Sequence, residues 1–221
     1  MTTPPPCSEA ELIARAMALG GCHVGELAAR YDKTLPRDLR RHKGVVGELL
    51  ELALGASAGS RPVPDFEHLG IELKSIPLGR DLRPLESTHV CTVAADDLAR
   101  QSWMTSTVRR KLTRVLWMPV EGTRDIPLEK RRVGRAVLWS PSAADEAVLR
   151  ADWEEHMELI ATGRQAELDG RLGTYLQVRP KAANGVARQI SSDATGVTTP
   201  ILPRGFYLRA AFTVRILEGA P

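Results

Sequence analysis

Apolar positions first recur at helical spacing as Leu12, Ile13, Ala16 and Met17, behind Ser8-Glu9-Ala10-Glu11, a serine followed three residues later by a glutamate. That order predicts a capped helix start, and Gly20-Gly21 a stop. A short helix is predicted over residues 24–31, and a mostly apolar one over Val45-Val46-Gly47-Glu48-Leu49-Leu50-Glu51-Leu52-Ala53-Leu54. The latter runs into Gly55-Ala56-Ser57-Ala58-Gly59-Ser60, small residues that let another backbone or a phosphate come close. The period then changes to two. Ile71-Glu72-Leu73-Lys74-Ser75-Ile76 alternates apolar and polar, so as a strand over 71–77 it points Ile71 and Leu73 one way and Glu72 and Lys74 the other. Further strands are predicted at 88–93, 115–120 and 136–139, with a helix carrying Arg109, Arg110 and Lys111 between the first two of these. Residues 142–162, between Pro141 and Gly163, form the longest predicted helix, a scaffold with Val148, Leu149, Trp153, Met157 and Ile160 on one stripe. Strands at 175–179, running into Pro180, and at 205–208 follow, and the Ser/Thr/Gly-rich stretch 191–200 between them reads as a loop. Strands interleaved with helices predict an α/β or α+β fold with a mixed central sheet flanked by helices.

With 221 residues, 43% of them hydrophobic, the chain can bury a substantial core. The three cysteines, Cys7, Cys22 and Cys91, show no Cys-x-x-Cys spacing and no pairing parity, which points to free thiols and a reducing compartment. None of the five histidines has the spacing of a metal pair. The start, Met1-Thr2-Thr3-Pro4-Pro5-Pro6, lacks the basic and apolar regions of a leader, and no apolar run reaches membrane-spanning length, so a cytoplasmic, soluble protein without a membrane partner is expected. Net charge is only +3, but residues 100–140 hold ten Lys/Arg against three Asp/Glu, and 171–215 seven against one. Residues 141–170 reverse this with eight acidic against two basic, so two basic segments flank an acidic helix. A polyanion is the natural partner for such a surface, the alternative being ordinary solvated arginines. Arg37, Arg40, Arg41 and Lys43 bring more positive charge to the lip of the 45–54 helix, and Lys43 is a DNA-binding candidate there.

Glu51, Asp65, Glu72 and Lys74 gather three carboxylates and one ammonium in a short stretch of chain. That is the inventory of a metal-dependent phosphodiesterase. Two carboxylates can hold a hard divalent ion beside a scissile phosphate, and a lysine can orient the attacking water and offset charge on the phosphoryl oxygens. A Glu-x-Lys on a strand is more often a solvated face. Against that stands the fact that Glu72-Leu73-Lys74 is the chain's only acidic-x-Lys triplet. Glu51, moreover, lies in an apolar helix, where a carboxylate needs a cationic partner. Mg²⁺ is the expected ion, with Mn²⁺ as a substitute.

Whole phrases carry a further resemblance. They begin with the 54–60 loop leading to Asp65-Phe66 and Gly70-Ile71-Glu72-Leu73-Lys74, and continue through Val108-Arg109-Arg110-Lys111-Leu112, Val115-Leu116-Trp117 and Leu138-Trp139-Ser140-Pro141. Tyr175-Leu176-Gln177, Arg179-Pro180-Lys181-Ala182-Ala183-Asn184 and Leu202-Pro203-Arg204-Gly205-Phe206-Tyr207-Leu208 complete them. In these the chain resembles, over nearly its full length, the MutH family of strand-nicking mismatch-repair endonucleases in the restriction-endonuclease-like superfamily. The resemblance implies a monomer with two lobes around a DNA cleft, approximately a catalytic lobe over 8–100 and a recognition lobe over 101–221. It implies cutting beside GATC in hemimethylated double-stranded DNA, on the strand lacking adenine N6-methylation, after activation by a MutL-type ATPase. Matched residue by residue, Asp65 and Glu72 would be metal ligands, Lys74 the catalytic lysine, Glu51 an additional site carboxylate and Lys111 a basic residue near the scissile phosphate. Arg179, Pro180 and Lys181 fall on the DNA-reading segment and Tyr207 on the methylation-sensing position. A GATC-reading restriction enzyme and a non-catalytic DNA-binding protein are the alternatives.

Overall fold

The computed structural model describes residues 3–36, 44–59, 61–93, 102–164, 167–180, 189–192, 198–201 and 204–219. Lys43 and Lys181 lie outside the described residues. In chain order the regular elements are α1 (Glu9–Ala18), α2 (Val24–Arg30), α3 (Val45–Leu54), β1 (Glu72–Leu78), β2 (Thr88–Thr92), α4 (Thr107–Leu112), β3 (Val115–Glu121), β4 (Val137–Trp139), α5 (Ala143–Ala161), β5 (Leu176–Pro180), β6 (Gln189–Ser192), β7 (Thr198–Ile201), β8 (Arg204–Leu208) and α6 (Ala210–Glu218). The chain's contacts divide it into two units, each discontinuous in sequence. One comprises Met1–Glu86, Thr113–Ser140 and Val214–Pro221; the other comprises Ser87–Leu112 and Pro141–Thr213.

The first unit is built on a three-stranded mixed sheet, β1-β3-β4. β3 runs parallel to β1, with Glu72 opposite Val115 and Lys74 opposite Trp117, and antiparallel to β4. This pairing is why residues 113–140 belong with the acidic stretch far upstream of them. Six of the seven β3 residues are buried, as expected of a central strand covered on both faces. The core gathers Leu12 and Ala16 of α1, Leu27 of α2, Leu49, Leu50 and Leu54 of α3, Leu73 of β1 and Leu116 and Met118 of β3. Each such leucine, wholly removed from water, contributes roughly 1.5–3 kcal/mol. Ser8 caps α1 by accepting from the Glu11 N–H at 3.2 Å, while the Glu11 carboxylate accepts from Cys7 N–H rather than closing a capping box on Ser8. Gly55 ends α3 at φ 81°, where a Cβ would meet the Pro4 carbonyl oxygen at 2.3 Å, so only glycine fits this close approach.

The second unit holds an antiparallel sheet, β2-β8-β5, and a separate two-stranded sheet, β6-β7. The expected α/β fold with a mixed sheet among helices is present, and among the described residues its strands fall into three sheets rather than one. Residues 191–200 are not a single loop: Ser191 pairs with Thr199 and Ile190 with Pro200 in the β6-β7 ladder, its 193–197 connection lying outside the described residues. Serine and threonine signal turns only when no partner strand competes for their backbone groups. α6 was not foreseen, although Phe212 and Ile216, four residues apart, are both buried.

α5 keeps the predicted boundaries, with Ser142 accepting from the Asp145 N–H at its start. Its buried stripe, however, contains Asp152 and His156 as well as Leu149, Trp153, Met157 and Ile160, while Val148 is only half-buried. The His156 Nδ1 donates to the Asp152 carbonyl, and its ring meets Phe206 of β8 edge-on at 6.1 Å.

Candidate active site

The acidic strand begins one residue later than its alternation suggests. Ile71 is spent closing a tight turn with Phe66, whose N–H donates to the Ile71 carbonyl at 2.9 Å, and Gly70 takes the left-handed conformation at φ 66° that the turn needs. The turn returns Asp65 to the mouth of β1, where its Oδ2 accepts from the Leu73 N–H at 2.7 Å. Two of the carboxylates are thereby fixed to one strand end by backbone geometry.

Glu72 and Lys74 share a strand face, and Lys74 Nζ lies 2.6 Å from Glu72 Oε1. Their side chains are 2% and 15% exposed, so this is no solvated face. Leu73 on the opposite face is also buried. A carboxylate this far from water is retained only where charge and hydrogen bonds compensate its desolvation. The register partner of Lys74, Trp117, is wholly buried, so the lysine stem runs beside apolar surface while its ammonium reaches the carboxylate.

α3 brings in the third carboxylate. Gly47, one turn before Glu51, approaches Ser75 Oγ to 3.6 Å from the place its Cβ would occupy, which seats the helix on β1. Burial, together with the negative charges of Asp65, Glu48 and Glu72, pushes the Glu51 carboxyl up from its ordinary value, and Lys74 opposes that only in part. Glu51 is therefore electrostatically part of the group, as its sequence position suggested.

Among the described residues no three His, Cys, Asp or Glu side chains cluster as a metal cage. The donor set nonetheless fits a hard divalent cation of the Mg²⁺ type, which commonly takes one or two carboxylates and fills its remaining positions with water and substrate oxygens. The charge balance points the same way, because the crowded carboxylates that raise Glu51 are not neutralised by Lys74 alone.

A consequence for stability follows from Glu51. A carboxyl whose folded-state pKa is raised carries a cost when charged, present above the folded pKa and relieved as pH falls through it. Glu51→Gln is therefore expected to raise the urea midpoint of the metal-free protein at pH 7, with the gain shrinking as pH falls to 4. A variant no more stable than wild type at pH 7 would remove Glu51 from the repelling group.

One positioning device had no sequence signal. Arg114 accepts the Glu72 N–H on its carbonyl at 3.0 Å, and its guanidinium donates to both oxygens of Glu9, at 2.9 and 2.6 Å, and to Ser140 Oγ. The fork ties the first turn of α1 to the start of β1 across 105 residues of chain.

The second unit carries the remaining candidates. β8 places Tyr207 opposite Gln177, Gly205 opposite Arg179 and Arg204 opposite Pro180. Arg179 donates to Ser87 Oγ at 2.9 Å and, among the described residues, pairs with no carboxylate, and Tyr207 is half-buried rather than a core aromatic. Pro180 ends β5 in an exposed position, and Lys111 is half-buried at the end of α4.

β5 is anchored by groups that a scaffold reading of α5 overlooks. Asp152 Oδ1 accepts from the Thr174 N–H at 2.7 Å and Oδ2 from those of Tyr175 and Leu176 at 2.6 and 2.8 Å. Arg209 donates to the carbonyls of Leu172 and Gly173, both at 2.9 Å. Gly173 sits at φ 81°, where a Cβ would come within 1.9 Å of the Leu176 oxygen. The signal was present, since Leu149, Asp152, Trp153, His156 and Ile160 already lie at one helical spacing.

A family model described as DNA mismatch repair enzyme MutH matches residues 54–152, a span that contains Asp65, Glu72, Lys74 and Lys111. A Vibrio cholerae protein named DNA mismatch repair protein MutH is 52% identical over 215 residues, covering 97% of both chains. Proteins of the same name from Vibrio parahaemolyticus and Serratia proteamaculans are 51% and 50% identical, covering 97% of this chain and 95% and 94% of theirs.

Proposed function

This chain belongs to the MutH family of DNA mismatch-repair enzymes, and from that premise we propose that it nicks duplex DNA at hemimethylated GATC, on the strand lacking adenine N6-methylation. Asp65 and Glu72 would hold Mg²⁺, with Mn²⁺ able to replace it. The observation that carries the chemistry is the buried Glu72–Lys74 pair beside the backbone-anchored Asp65. Bound there, the ion supplies polarisation of a phosphoryl oxygen and acidification of the attacking water. Lys74 orients that water and meets the charge developing on the phosphoryl oxygens, its ammonium held in place by Glu72. Glu51, the third carboxylate of the group, takes the proton that the water gives up.

Recognition falls to the second unit. Arg179 can give two parallel hydrogen bonds to guanine O6 and N7 in the major groove, and Tyr207 crowds a methyl on adenine N6. Pro180 shapes the end of the reading strand; Lys43, Lys181 and Lys111 neutralise phosphates, Lys111 near the scissile one. No helix among the described residues is long and apolar enough to cross a membrane. We expect a cytoplasmic monomer whose rate rises with a MutL-type ATPase.

The test is a nicking assay on GATC duplexes labelled separately on each strand, with Mg²⁺, with and without that ATPase, and with chelator. Cuts confined to the unmethylated strand and abolished by chelator are expected. Tyr207→Ser should narrow the ratio of rates on unmethylated and fully methylated DNA by roughly tenfold, the scale of one lost contact. Double-strand cleavage blind to methylation would give the restriction-type reading instead, and binding without cleavage a non-catalytic one.

A further inference from the structure

We propose that His89 is a positioning residue for Tyr207, setting how sharply the enzyme distinguishes methylated from unmethylated adenine. The inference rests on the methyl-sensing role given to Tyr207 above. It starts from the register of β2 and β8, in which His89 and Tyr207 stand directly opposite one another. Side chains on directly paired antiparallel residues project from the same sheet face, close enough to touch. Here they do: the rings meet edge-to-face with centroids 5.1 Å apart and planes at 67°, the arrangement that aromatic quadrupoles favour.

Gly205 makes the contact possible. Two residues before Tyr207 it shares that face, and a Cβ there would lie 3.2 Å from His89 Cδ2, from His89 Nε2 and from the Cys91 carbonyl oxygen. The imidazole therefore lies over bare backbone. The register of β2 also shifts between His89 and Cys91, so the irregularity of the strand falls just after the histidine, at Val90. On the other flank Gln177 of β5 stands opposite Tyr207 and is 6% exposed. The phenol is thus bracketed from both neighbouring strands, while Phe206 and Leu208 are buried beneath the opposite face.

A reader that senses a methyl group by crowding works only if its wall cannot yield. A tyrosine ring able to turn away would relax around the methyl at small cost, and discrimination would fall although every contact to unmethylated DNA survived. His89 supplies the stiffness. It is half-buried, so its packing holds a ring that reaches the surface rather than filling the core.

The test compares nicking rates on unmethylated and fully methylated GATC duplexes for wild type, His89→Ala, His89→Phe, Tyr207→Ser and the His89→Ala/Tyr207→Ser double variant. His89→Ala should narrow the ratio about three- to tenfold, the worth of one aromatic contact, with the rate on unmethylated DNA within about threefold of wild type. His89→Phe, which keeps an aromatic edge, should restore the ratio. The double variant should be no less selective than Tyr207→Ser alone, because the two residues act as one. If His89→Ala does not fold, His89→Leu keeps bulk without an aromatic edge and must narrow the ratio in the same way. A wild-type ratio in His89→Ala or His89→Leu, alongside a narrowed one in Tyr207→Ser, overturns the proposal alone. Additive losses, or failure of phenylalanine to restore the ratio, overturn it as well. A wild-type ratio in every variant removes Tyr207 from methyl sensing and this proposal with it.

Discussion

Lys74→Ala is expected to lower the nicking rate by about a hundredfold or more, as losing one preorganised charge-stabilising donor does elsewhere. Affinity for GATC duplex should stay within about threefold, since the ammonium acts chiefly on charge that develops in the transition state. The substitution also has a structural effect that must be separated from the chemical one. It leaves the Glu72 carboxylate, 2% exposed, without the ammonium now 2.6 Å away. Removing one partner of a buried pair typically costs about 3–5 kcal/mol. The alanine variant should therefore denature at lower urea in the absence of metal, and Glu72→Gln/Lys74→Ala should recover most of that loss while remaining inactive. Nicking by Lys74→Ala within a few-fold of wild type, measured below its unfolding transition, would remove Lys74 from the mechanism. Unchanged stability would show that the pair is not closed in solution.

The second large effect is expected in the other unit. Asp152→Ala should destabilise the second unit by about 3 kcal/mol or more, because three backbone N–H groups lose a charged acceptor and are left buried or half-buried. Amide exchange at Thr174, Tyr175 and Leu176 should accelerate first, as those donors open. DNA affinity should fall with it, since Arg179 and Pro180, proposed to read DNA, follow on the same strand. Asp152→Asn should lose less, having one oxygen left to accept. Equal protection of these amides in wild type and alanine variant would show that the loop is held by the Arg209 fork and Gly173 instead.

The elements of the first unit were legible because their patterns are local. Ser8 before an apolar stripe, the apolar run of α3 ended by Gly55 and the alternation around Glu72 each predict an element that the structure contains. The acidic group was legible for the same reason. Asp65, Glu72 and Lys74 lie within ten residues, and one turn and one strand bring them together. What failed to show was non-local. β6 and β7 exist through their mutual pairing, and α6 buries Phe212, Thr213 and Ile216 in a stretch whose Phe212, Val214 and Ile216 alternate as a strand would. Asp152 and His156 were overlooked because the buried stripe was read from apolar residues alone, and a polar group enters a core only where backbone groups satisfy it.

The sequence by itself determined the chemistry available: three carboxylates and a lysine on one helix, one turn and one strand, with further basic and aromatic groups on the strands at 175–179 and 205–208. It determined these because residue type and near spacing follow from the chain alone. Tertiary structure decided the environment of each group. Glu72 is buried rather than solvated, Glu51 is raised by burial and its neighbours, Arg114 reaches across the chain to Glu9, and His89 meets Tyr207 through the β2-β8 register. Burial and register are set by strands and helices distant in sequence. The desolvation and ring contacts that tune a carboxylate or hold a tyrosine therefore come into being only when those elements pack.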